Sequence, residues 1–103
     1  MSEKNSEFFV RIHDRMNGRV AAICDSDLLG KTLENEKFKI EISKSFYGGE
    51  LLDESKIIKI LEKERNVNII GKRIVELCIK LNMINKDHII YIGDVPHVQL
   101  IEL

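Results

Sequence analysis

The chain is poor in cysteine, in proline and in any surplus of one charge. Only two of its 103 residues are cysteine and one is proline, and the formal net charge is -1. Cys24 and Cys78 are too few and too far apart in sequence to make a disulfide framework or a metal site. Both are expected as buried free thiols, which fits a reduced, cytoplasmic setting. A near-neutral chain has no global positive field to draw it to nucleic acid or membrane, so any such attraction must come from a local patch. No apolar run is long enough for a secretion signal or a membrane span, and Ser2 to Glu7 is polar and charged, so residues 1–7 are expected to be a frayed terminus. His13, His88 and His97 stand at no metal-ligand spacing with one another or with the cysteines. No metal and no cofactor is therefore expected.

What is present is an ordinary globular balance of 44% hydrophobic and 32% charged residues, the latter above the roughly 25% of an average domain. At this length one domain is expected over residues 8–103, burying somewhat over about 60% of the unfolded surface. The strongest periodic stretch is Asn68 to Met83. Ile70, Ile74, Leu77, Cys78 and Leu81 recur at the spacing of one helix face, and Asn68 can serve as N-cap. Gly71 is the odd residue, since glycine inside a helix costs about 1 kcal/mol relative to alanine. Either it lets another backbone approach, or Val67 to Ile70 is a short strand and the helix starts after it. The first arrangement is the expectation.

Upstream, Phe8 to His13 and Arg19 to Cys24 are aromatic and β-branched runs joined by Met16-Asn17-Gly18, and Asn-Gly is a strong hairpin signal. Asp25-Ser26-Asp27 offers caps to a short helix over 28–33 that Gly30 should curtail. Phe38, Ile40 and Ile42 alternate with polar residues, as in a strand with one buried face. The glycine pair within Ser45 to Glu50 interrupts regular structure. Asp53 then caps a helix to about Glu64, with Ile57, Ile58, Ile60 and Leu61 inward. Ile89 to Ile92 and Val98 to Leu103 flank Gly93-Asp94 as a second hairpin. Pro96, lacking an N–H, belongs at a strand start or an edge. The predicted fold is α+β, a two-layer sandwich with an antiparallel or mixed sheet of about five strands and two main helices on one face.

Three stretches could carry binding chemistry. In Phe46-Tyr47-Gly48-Gly49-Glu50, two glycines could present backbone N–H groups and two aromatics could stack on a ring, unless the glycines turn the chain and the aromatics anchor it. In Pro96-His97-Val98-Gln99, strand geometry sets His97 and Gln99 side by side on one face. An imidazole there could move protons, or the pair could satisfy a polar strand end. Lys56, Lys59 and Lys63, with Arg73 farther on, could meet phosphates, although Glu54, Glu62 and Glu64 are interspersed and favour an ion-paired, solvated face. Gly30-Lys31-Thr32 matches only the last three residues of a phosphate loop.

Taken together, Cys24-Asp25 with Leu28-Leu29-Gly30-Lys31, Phe46-Tyr47-Gly48-Gly49-Glu50, Asn68-Ile69-Ile70-Gly71 and Val95-Pro96-His97-Val98-Gln99 resemble a small archaeal family known only as domain of unknown function 424. The resemblance covers nearly the whole chain from the first strand to the C-terminus. Where the family pattern reads Asn-Ile-Val-Gly and Pro-His-Ala-Gln, this chain has Ile70 and Val98, apolar replacements that leave the polar and glycine positions intact. The resemblance implies an archaeal cytoplasmic protein of two-layer α/β type, and it supplies no activity.

Three function classes follow. The leading one is a non-enzymatic binding module for RNA or a ribonucleoprotein, in which Phe46 and Tyr47 stack, Gly48 and Gly49 let the partner approach, and Lys56, Lys59, Lys63 and Arg73 meet phosphates. The rival is a small enzyme or metabolite-binding protein whose pocket gathers Asp25, Lys31, Glu50, His97 and Gln99. A third, self-association as a homodimer, would use an exposed edge of the C-terminal hairpin. No membrane partner is expected.

Overall fold

The structure is a computed structural model that describes residues 7–16 and 18–101. The expected frayed terminus therefore lies outside the described residues except for Glu7, and so do Asn17 of the expected turn and the last two residues of the C-terminal strand. Strand β1 (Glu7–Arg15) and strand β2 (Gly18–Asp25) pair antiparallel from Phe8 opposite Asp25 to Arg15 opposite Gly18, as the Asn-Gly signal implies. Short strands β3 (Thr32–Glu34) and β4 (Lys39–Glu41) form a separate two-stranded ribbon. Then follow helix α1 (Lys44–Tyr47), strand β5 (Glu50–Asp53), helix α2 (Glu54–Lys63), strand β6 (Asn66–Ile70), helix α3 (Lys72–Lys80) and strands β7 (Ile90–Ile92) and β8 (Val95–Ile101). The main sheet has six strands in the order β5-β1-β2-β6-β8-β7. It is mixed, because β2 and β6 at its centre run parallel while the other neighbours are antiparallel.

The α+β class and the two helices on one face are as expected, and the sequence-based boundaries differ in three places. Asn68 to Met83 is not one helix: residues 66–70 are a strand and the helix starts at Lys72. Gly71 decides this. Its φ of +127° lies where only glycine is comfortable, and a Cβ there would collide with the Asp25 carboxylate. Ile70 consequently belongs to the sheet, and the apolar stripe of α3 consists of Ile74, Val75, Leu77 and Cys78, all buried, while Leu81 at the helix end is 37% exposed. The expected helix over 28–33 is a single 3-10 turn, Ser26–Leu28, followed by β3. Gly30 donates its N–H to Ile42 O at 2.7 Å and Lys31 O accepts from Ile42 N–H at 2.8 Å, so the ribbon claims this backbone before a helix can form. Finally, the glycine-interrupted stretch holds a one-turn helix capped by Ser43, whose Oγ accepts from Phe46 N–H, and then the edge strand β5.

Alternation along each strand sorts its residues between two cores. On one face, Phe8, Val10, Ala21, Ile23, Val67, Ile69 and Val98 pack under Ile57 and Leu61 of α2 and the buried stripe of α3. On the other, Ala22, Cys24 and Ile70 are covered by Ile42 and Tyr47, with Phe46, Leu28, Leu29 and Leu33 around them. The ribbon and α1 thus add a partial layer to the face away from the helices. Pro96 is tolerated as the second residue of β8 because β6–β8 pairing ends at Ile70 opposite His97. Its carbonyl still accepts the Gly71 N–H at 3.0 Å.

Candidate functional site

The aromatic-glycine segment is spent on structure. Tyr47 is buried, Phe46 is half-buried, and their rings meet edge to face with centroids 4.8 Å apart. His13 of β1 stacks on Phe46 at 4.7 Å and its Nε2 lies 2.8 Å from Phe46 O. The glycine N–H groups are also taken, Gly48 donating to Lys44 O and Gly49 to Tyr47 O. A Cβ on Gly49 would run into Val10 O, so this glycine exists to bring β5 against β1. Neither the stacking role expected of Phe46 and Tyr47 nor the ligand-facing role expected of Gly48 and Gly49 matches these contacts.

His97 and Gln99 do share one face of β8, as their spacing implies, and each reaches an asparagine of β6: Asn68, expected as a helix N-cap but lying within the strand, and Asn66, which has no assigned role in the sequence analysis. Tyr47 donates its hydroxyl to Asn68 Oδ1 at 2.5 Å, and His97 Nε2 lies 3.2 Å from the same oxygen. An amide oxygen only accepts, so His97 carries its proton on Nε2 and leaves Nδ1 as a bare acceptor. Burial lowers the His97 pKa, which keeps the ring neutral, and raises that of Tyr47. One step along, Gln99 Nε2 donates to Asn66 Oδ1 at 3.2 Å. The signal for Asn66 and Asn68 is their period of two among Val67 and Ile69, visible only once 66–70 is taken as a strand.

The five residues of the enzyme-like pocket are not gathered. Asp25 follows Ala21 and Ile23 on the helix face of β2, the opposite side of the sheet from His97. Its carboxylate accepts the N–H groups of Arg73 and Ile74, each at 2.9 Å, and so caps α3 in place of Gly71, which has no side chain. Asp25 was expected to cap the segment directly after it; the helix it caps is in a different part of the chain. Glu50 is exposed on β5, four strand spacings from β8, roughly 19 Å away at about 4.8 Å each. Lys31 is exposed beside the ribbon. Cys24 and Cys78 are free and buried, and burial pushes both thiols up to about 12. Among the described residues no cluster of three or more histidine, cysteine or acidic side chains could hold a metal.

Of the residues expected to meet phosphates, Arg73 turns inward. Its guanidinium donates to Glu7 O and Ser26 Oγ, approaches Asp25 and Asp27, and sits 5.1 Å over the Phe8 ring. Lys56, Lys59 and Lys63 are exposed on α2. At 100° per residue they fall within roughly 60° of arc, with Glu62 about 60° beyond Lys59 on one side and Glu54 on the opposite side of the helix. None of the three is in a salt bridge among the described residues. At the end of this stripe a cavity of about 450 Å³ is lined by Lys63, Arg19, Arg65 and Asn66, with Arg19 ion-paired to Glu64 at 2.8 Å.

The edge of the C-terminal hairpin is β7, three residues long, with Ile90 and Tyr91 more than half exposed. Tyr91 O accepts the Asn35 side-chain amide at 3.4 Å, which blunts that edge.

A family described as "Protein of unknown function (DUF424)" matches residues 12–103. The chain belongs to this family. Among solved structures, this DUF424 chain is similar to the crystal structure of an uncharacterized conserved protein from Methanopyrus kandleri. The two are 28% identical with a TM-score of 0.70, over 94% of this chain and 95% of that one. No curated protein matches the DUF424 chain. Among the described residues no helix is long and apolar enough to cross a membrane.

Proposed function

We propose that this DUF424 protein is a non-enzymatic binding module of the cytoplasm whose partner is RNA or a ribonucleoprotein. The observation that carries the reading is the lysine stripe of α2. Lys56, Lys59 and Lys63 share one arc of the helix outside any salt bridge among the described residues, and the stripe leads into the cavity lined by Arg19 and Arg65. Lysines not committed to carboxylates are available to displace counterions from a phosphate backbone, which makes binding fall with salt. The aromatic-glycine segment has no part in this surface, because its rings and amides are used internally.

Filter binding of pooled cellular RNA across a salt series tests the reading. The wild type should bind with an affinity that falls as salt rises. The variant Lys56→Gln, Lys59→Gln, Lys63→Gln should lose about 2 from the slope of log K against log salt, at about 0.7 per neutralised phosphate of a single strand. Absent or salt-independent binding, or an unchanged slope in the triple variant, rejects it.

A further inference from the structure

A second concavity lies on the sheet face away from α2, between the ribbon and the strands β7 and β8. It has a volume of about 360 Å³ and is lined by Phe38, Lys39 and Ile40 on one side and Ile90, Ile92 and His97 on the other. Ile90 pairs with His97 and Ile92 with Val95, so the two isoleucines and the imidazole stand on one surface. Phe38 and Ile90 are each about half exposed, at 52% and 53%, although both are large and apolar. The polar end of the cleft is built with care. Asn68 Oδ1 holds the Nε2 proton of His97 and also accepts from the buried Tyr47 hydroxyl. His97 Nδ1 makes no hydrogen bond among the described residues, and no buried side-chain nitrogen or oxygen among them lacks a partner, so Nδ1 is open to an incoming group.

We infer that this cleft binds a planar heteroaromatic ring carrying a ring N–H and an anionic substituent. A phenyl ring facing aliphatic side chains makes a slot for a flat apolar body. A neutral imidazole with its proton committed to Asn68 offers only an acceptor at Nδ1, so the ligand must supply the donor. Lys39 is among the lining residues, exposed and in no salt bridge among the described residues, and its long flexible stem matches an anionic group at the cleft mouth. The volume is near the lower end of the roughly 300–1,000 Å³ usual for small-ligand sites, which suits one ring system and its substituent rather than a dinucleotide. A nucleoside monophosphate and an aromatic carboxylic acid both have this chemistry. The cleft does not depend on the lysine stripe, since α2 covers the other face of the sheet.

The test is a titration of isotope-labelled full-length protein by NMR with guanosine 5′-monophosphate, indole-3-acetate, guanosine and inorganic phosphate as separate probes. Saturable shifts at Phe38, Ile90, Ile92 and His97 are expected with the first or second probe, and which of them binds tells the nucleotide source from the acid. Phosphate alone should leave these residues unmoved. Lys39→Gln, a change at an exposed residue, should weaken the anionic probe about tenfold, and His97→Phe should weaken it at least as much. Saturable binding of guanosine as tight as its monophosphate, no saturable shift at millimolar probe, shifts confined to α2, or equal binding by Lys39→Gln and wild type would overturn the inference.

Discussion

The carboxylate of Asp25, at the end of β2, receives the backbone N–H groups of Arg73 and Ile74, 48 and 49 residues farther along the chain. The first turn of α3 therefore has its unpaired amides satisfied from a neighbouring strand. This fixes where the helix starts relative to the parallel pair β2–β6.

Asp25→Ala should consequently be costly. It removes a cap, worth about 0.5–2 kcal/mol, and strands buried N–H groups at about 1–3 kcal/mol. Denaturant unfolding should show a loss of about 2–4 kcal/mol. Asp25→Asn should lose less than Asp25→Ala, because its single Oδ1 can still accept one of the two N–H groups, although its Nδ2, a donor, then faces the other, and because the burial that raises the Asp25 pKa disfavours the charge being removed. Equal losses for the two variants would show that the charge, not the accepted amides, matters here.

Gly71→Ala should be worse than a typical surface change, for two separable reasons. The +127° φ strains any side chain, and the new Cβ meets the Asp25 carboxylate. Strain of this kind costs about 1–3 kcal/mol. The collision adds a part that vanishes when Asp25 is shortened. In a double-mutant cycle, Gly71→Ala made on Asp25→Ala should cost less than on wild type, with coupling between about 0.5 and 3 kcal/mol. Additive losses would leave the backbone strain as the whole effect.

How far the sequence revealed the fold differs from element to element for physical reasons. Helix α2 was legible because its cap is local: Asp53 accepts from Lys56 N–H three residues on. The start of helix α3 is not legible locally because its cap comes from Asp25, which no local window contains. The β1–β2 hairpin was legible from its turn residues, whereas β5 was hidden because what allows it is the close approach of Gly49 to the Val10 carbonyl. The site followed the same rule. His97 and Gln99 on one face could be read from strand period, while their partners Asn68 and Asn66 required knowing that β6 lies beside β8.

The thiols give a direct check on the two cores. Cys24 lies on the ribbon side of the sheet and Cys78 beneath α3, both fully buried with their ionisation suppressed. Reactivity requires thiolate and access. Neither should react with a thiol reagent in the folded protein, and two equivalents should react in denaturant. Fast modification of one site in the native state would place local opening on that side of the sheet.

The last prediction concerns pH and the Tyr47–Asn68–His97 chain. Burial holds the folded pKa of His97 below its ordinary 6.5, so the unfolded chain binds more protons on this group than the folded one in the window beneath 6.5. Stability from this group is therefore complete above about pH 6.5 and declines as pH falls toward the folded pKa. Other groups titrate as the solution is acidified, so the informative quantity is a difference. His97→Gln keeps an amide that can donate to Asn68 and cannot be protonated in this range. The gap in stability between wild type and His97→Gln should shift against wild type as pH is lowered from 7 to 5, while Tyr47→Phe, which deletes the other donor to Asn68 at a cost of about 1 kcal/mol, should show no comparable dependence of its own. A wild-type curve parallel to that of His97→Gln throughout would mean that the imidazole is as well solvated in the fold as in the open chain.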